Sequence, residues 1–130
     1  KSIHVEKEDS LEAFTKKLAD LLEDHSVLII INTSYGEALI QSIIAYKASL
    51  SLDDIHKGDL PPEAFRAFTE ATDWLKKKKL HFFQFDENPL ETMKEDIDQI
   101  FKSTSPDVVF IDKTGLDDAT LDYLERYLDQ

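Results

Sequence analysis

The sequence predicts a single α/β domain in which a mainly parallel sheet lies between two layers of helices. Three observations point there. Val27 to Ile31 and Val108 to Ile111 are uninterrupted apolar runs, as expected of strands buried on both faces. Between such runs, apolar residues recur three and four positions apart, the period of a helix with one buried stripe. The two patterns alternate along the chain, which favours parallel strands joined by right-handed crossovers. At 130 residues the chain allows one domain, able to bury roughly two-thirds of its unfolded surface. No internal repeat, linker or low-complexity tract divides it.

Ser2 to Val5 reads as a short opening strand. A helix follows with Leu11, Phe14, Leu18 and Leu21 on one face, capped by Asp9 or Ser10, whose side chains can accept from an otherwise unpaired N–H. Val27 to Ile31 is the second strand. The loop Thr33-Ser34-Tyr35-Gly36 is expected to open a helix marked by Leu39, Ile40, Ile43 and Ile44. Leu52 to Lys57 predicts a short helix stopped by Gly58, a residue suited to a left-handed cap. Pro61 and Pro62 suit the first turn of the next helix, where a missing N–H is tolerated. Its expected apolar face is Phe65, Phe68, Ala71 or Thr72, and Leu75. Leu80 to Phe85 is a third strand, and Asp86 to Pro89 a turn. Leu90, Met93, Ile97 and Ile100 line a helix, Val108 to Ile111 is a fourth strand after Pro106, and Leu121, Leu124 and Leu128 line a last helix.

Composition narrows the function classes. Lys and Arg total 15 against 27 Asp and Glu, a formal charge of −12. That disfavours nucleic acid, whose binding depends on cations neutralising phosphates. The absence of Cys removes disulfides, thiolate metal sites and thiol nucleophiles. No apolar run approaches the roughly 20 residues that cross a bilayer, and the start lacks the layout of a secretory signal. A cytoplasmic setting without membrane attachment is therefore expected. The lack of an initial Met points to a trimmed or partial chain.

In open parallel sheets ligands bind beyond the carboxyl ends of the strands. Those ends carry Glu6 to Glu12, Asn32 to Gly36, Asp86 to Asn88 and Asp112 to Gly115. A phosphate cradle needs a glycine-rich first loop with a Lys and a Ser or Thr at the helix start. The first loop here, Glu6-Lys7-Glu8-Asp9-Ser10-Leu11-Glu12, has no glycine. Its carboxylates would repel a triphosphate by about 4 kcal/mol per contact at roughly 4 Å and an effective dielectric near 20. No nucleotide cofactor is expected.

The element order and several local strings nevertheless resemble the ATPase domain of DnaB-type replicative helicases, a RecA-like P-loop fold. Val27 to Gly58 lies without a gap on that family's strand, its Ser-Leu-Glu-Met loop and the following helices. Leu39, Ile43-Ile44-Ala45, Leu52, Ile55 and Gly58 fall on the family's apolar or glycine positions. Asp59-Leu60, Phe65, Ala71 and Leu75 continue the match. Asp107-Val108-Val109-Phe110-Ile111-Asp112 is similar to the Walker B strand, and Phe82 to Asp86 to a strand ending in acidic residues.

Against the family's pattern, Ser10-Leu11-Glu12 stands where Gly-Lys-Thr binds phosphate and magnesium. Thr33 stands at the catalytic glutamate, Ser42 at an arginine and Gly115 at the glutamine after Walker B. Asp112 alone matches the Walker B carboxylate. The family's last strands are also missing. Phosphoryl transfer depends on positioned charges, so the resemblance implies a degenerate domain that has lost catalysis and retains a scaffold. No catalytic residue, metal or cofactor is expected.

Other signals have plainer readings. His4, His25, His56 and His81 show no paired metal-ligand spacing. Lys76 to Lys79 is the one basic cluster and meets the negative end of a helix dipole. Phe82, Phe83 and Phe85 are expected in the core rather than stacked on bases. Asp112 is expected to accept loop hydrogen bonds rather than bind a cation with Glu12. The favoured expectation is a non-catalytic protein-interaction module linked to DNA replication, partnered by a helicase-like ATPase or by its own copies. The alternatives are an ATPase piece completed by partner chains and a domain excised from a longer protein.

Overall fold

A computed structural model describes residues 11–86 and 90–129. Among them the chain forms α1 (Leu11–Leu22), β1 (Val27–Asn32), α2 (Thr33–Ala48), α3 (Leu52–Lys57), α4 (Pro62–Lys76), β2 (Leu80–Phe85), α5 (Leu90–Thr104), β3 (Val108–Ile111) and α6 (Asp118–Leu128). The protein is thus α/β, with six helices and a small three-stranded sheet in the order β2-β1-β3. Both strand pairs are parallel, Val27 standing opposite Leu80 on one side and Val108 on the other. The expected strand Ser2–Val5, the caps Asp9 and Ser10, and residues 87–89 of the expected turn lie outside the described residues.

The central strand explains the apolar runs. Val27 to Ile31 are between 0 and 2% exposed, and Val108 to Ile111 between 0 and 1%. Because strand side chains alternate between faces, β1 supplies two cores at once. Val27, Ile29 and Ile31 join Val108 and Phe110 against α1, α2 and α4, through Phe14, Leu18, Leu22, Leu39, Ile43 and Trp74. Leu28 and Ile30 join Val109 and Ile111 against α5 and α6, through Met93, Ile97, Leu124 and Leu128. Each fully buried aliphatic side chain contributes about 1.5–3 kcal/mol, so burial on both faces makes β1 the strand on which both cores depend.

Two sequence expectations are corrected. Thr33 to Gly36 is not a loop: α2 begins at Thr33, directly after β1. Asn32 makes this possible, since its Oδ1 accepts from the Ser34 N–H at 2.9 Å and caps the helix where the strand stops. Phe65 is not core but 61% exposed. The buried stripe of α4 centres on Ala71, with Trp74 and Leu75 packed on the first core. Phe65 lies one position past Ala64 in the same repeat and is rotated roughly 100° away from it.

The remaining boundaries follow local chemistry. Ser51 caps α3 by accepting from Asp54 N–H at 3.1 Å, and Gly58 ends it at φ 71°. Pro62 occupies the first turn of α4. Asp117 caps α6, accepting from Thr120 N–H at 2.8 Å.

Candidate functional site

The order β2-β1-β3 places a topological switch point beside the central strand, at its border with β3. From β1 the chain leaves into α2, on the face of the first core, whereas from β3 it leaves into α6, on the opposite face. The crevice between the carboxyl ends of β1 and β3 is where ligands of such sheets bind. Its walls are Asn32 to Ser34 on one side and Asp112 to Gly115 on the other.

Asp112 extends the sheet through its backbone, donating its N–H to Ile30 O at 2.9 Å. Its side chain turns to its own loop, where Oδ1 accepts from Thr114 N–H at 2.9 Å. Leu116 N–H then donates to Lys113 O at 3.0 Å, closing the turn. Gly115 sits at φ 85°, and a Cβ there would come 2.9 Å from Asn32 Nδ2. The loop after β3 therefore closes on the amide that caps α2, and a glycine is needed for that approach.

The sequence-derived positions separate accordingly. Thr33, Asp112 and Gly115 gather at the crevice. Thr33 is the exposed first residue of α2, Asp112 is half-buried, and Gly115 is exposed. Glu12 is exposed in the first turn of α1. Phe14, just after it, meets Phe110 edge-on at 5.3 Å, which directs that end of the helix toward the carboxyl ends of the strands. Ser10 and the Leu11 side chain lie outside the described residues. Ser42 is buried on α2, with no hydrogen-bond partner for its Oγ. Among the described residues no three His, Cys, Asp or Glu side chains converge to hold a metal ion, and no helix is long and apolar enough to cross a membrane.

Two further clusters lie elsewhere. At the amino end of the sheet, Glu23 holds Lys47 at 3.0 Å and Lys78 at 3.5 Å, and hydrogen bonding from Lys47 keeps its carboxyl below the usual range. Both lysines lie over the Trp74 ring, at 4.6 and 5.6 Å from its centroid. Nearby, Ser26 N–H donates to Asp107 Oδ2 at 3.1 Å while Asp107 N–H contacts Ser26 Oγ at 3.0 Å. On the α5–α6 face, Tyr127 donates to Asp98 Oδ1 at 3.0 Å, and Lys102 reaches Asp98 Oδ2 at 2.8 Å. Burial, then the bond to Asp98, pushes the Tyr127 hydroxyl up to about 12, so it stays protonated at neutral pH.

Sequence reasoning missed Asn32 and the Ser26–Asp107 pair. Asn32 carries a readable signal, an Asn between an apolar run and a helix. The pair, 81 positions apart, carries none.

No protein-family model matches this chain, and no curated protein matches it.

Proposed function

We propose that this chain is a non-catalytic domain of the RecA-like, DnaB-helicase type, with three layers and a parallel sheet, and that it serves as a protein-interaction module in DNA replication or helicase function. Support comes from the parallel β2-β1-β3 sheet with apolar cores on both faces, and from the local strings that resemble the family. One observation carries the loss of catalysis: the Asp112 carboxylate, at the Walker B position, accepts a bond from its own loop. Thr33, at the position of the catalytic glutamate, offers a hydroxyl that cannot act as a water-activating base at neutral pH. Glu12, in the first turn of α1, adds negative charge where phosphate would need donors.

Calorimetry with magnesium and ATP is expected to give no binding heat, and tight binding would overturn the non-catalytic assignment. Co-sedimentation with a replicative helicase is expected to saturate in the micromolar range. No association at those concentrations would remove the interaction role.

A further inference from the structure

The two edges of the sheet are unlike. All four residues of β3 are at most 1% exposed, whereas His81, Phe82 and Phe83 of β2 are half-buried and Gln84 is exposed. Among the described residues β2 pairs on one side only, with β1, over all six of its positions. It carries no proline, bulge or internal charge, the devices that usually stop an edge from pairing with another strand. Its flanks are charged instead, and oppositely. Lys76 to Lys79 precede it and Asp86 follows it. Lys76, Lys77, Lys79 and Asp86 make no ion pair among the described residues.

We propose that the outer edge of β2 pairs antiparallel with β2 of a second copy, joining two three-stranded sheets across a two-fold axis. Directly opposed residues in an antiparallel pair share a face. A two-fold perpendicular to the sheet therefore sets Phe82 against Phe82 or Phe83 against Phe83 of the second copy. The first register sets Lys78 of one chain directly opposite Asp86 of the other and the second sets it diagonal to Asp86 on the same face, twice per dimer. The carboxylate is then within reach of an ammonium whose own-chain contact to Glu23 is long, at 3.5 Å. The contact is isologous and closes on itself. It also places the end of the chain's longest lysine run beside a carboxylate, on a surface whose net charge of −12 otherwise opposes self-association. This inference stands apart from the RecA-like assignment, because it uses only the edge and its flanks.

Sedimentation equilibrium of the protein and three variants tests it. The unmodified chain is expected to dimerise reversibly. Lys78→Glu and Asp86→Lys should each weaken the dimer about tenfold, as two opposite-charge contacts become like-charge ones. The double variant Lys78→Glu/Asp86→Lys should recover the original Kd. Asp86→Lys is the sharp case, since it reduces net repulsion and yet is expected to weaken association. A single monomeric species at about 0.5 mM, well above a micromolar Kd, would overturn the proposal. So would an Asp86→Lys dimer as tight as the original, or a double variant that stays weak. Amide exchange across Leu80–Phe85 should slow as concentration rises, and unchanged exchange in a dimerising sample would place the contact elsewhere and overturn it too.

Discussion

The two ends of the sheet are built from the same three strands but held together differently. At the carboxyl end each side chain binds the backbone a few residues ahead: Asn32 to Ser34, Asp112 to Thr114, Asp117 to Thr120. At the amino end the partners are distant in sequence. Ser26 meets Asp107 across 81 positions, and Glu23 reaches Lys47 and Lys78 across 24 and 55. One end is a set of short-range turns that meet where Gly115 approaches Asn32, while the other ties together α1, α2, the end of α4 and the start of β3. The end where ligands of such sheets bind thus rests mostly on bonds within single loops, so most of its residues can change with little effect on the rest. A scaffold can outlive its site by this route.

The largest expected effect is at the tied end. Asp107→Ala leaves the N–H of Ser26, a residue only 8% exposed, without its carboxylate and should cost about 2 kcal/mol, read as a lower urea midpoint. At the carboxyl end, Gly115→Ala should cost about 1–2 kcal/mol, from a left-handed backbone and the approach to Asn32. Part of that loss should vanish in an Asn32→Ala background, because the two positions touch. Gly36→Ala is the contrasting control. Its new Cβ would meet only the tip of the exposed Gln84 side chain, and helix propensity favours alanine by about 0.5–1 kcal/mol, so the melting temperature should hold or rise. Smaller still, Asp112→Ala should cost about 0.5–1 kcal/mol, the net worth of one loop hydrogen bond, and leave the calorimetric response to magnesium and ATP unchanged.

Acid pH acts on both ends in the same direction. Glu23, Asp98 and Asp117 are all held below their usual range, by Lys47, Lys102 and Thr120 respectively. A depressed folded value means stability that is present above the ordinary carboxylate range and lost as pH falls through and below it. Urea midpoints should therefore drop on the acid side, and Asp117→Ala should flatten that slope. Tyr127 works in the opposite sense. Its hydroxyl rises from 10.0 to about 12 on folding, so its contribution is whole below pH 10 and disappears between there and about 12. Tyr127→Phe should flatten the alkaline limb.

The three strands and six helices among the described residues are readable in the sequence because each carries its own period or apolar run. Gly58 and Pro62 mark ends by local backbone chemistry that needs no tertiary partner. Where the fold departs from sequence expectation, the cause lies in a neighbouring element. Phe65 fits a helical stripe on paper, but the packing of α4 on α2 and the sheet selects Ala71, Trp74 and Leu75. At the candidate site, the loop role of Asp112 follows from its own segment. The contact between Asn32 and Gly115 does not, because it joins two strands that become neighbours only when the sheet forms.

The position of Trp74 gives the protein an optical reporter of its own. It is the single tryptophan in the chain, its indole N–H is buried, and two ammonium groups lie over its ring. Excited indole moves electron density from its pyrrole ring toward its benzene ring, so emission energy responds to nearby cations. Loosening the α2–α4 contact, or exchanging Lys47 for Met, should shift the emission maximum before the helices themselves melt. Fluorescence from one residue would then time the opening of the tied end separately from the loss of secondary structure.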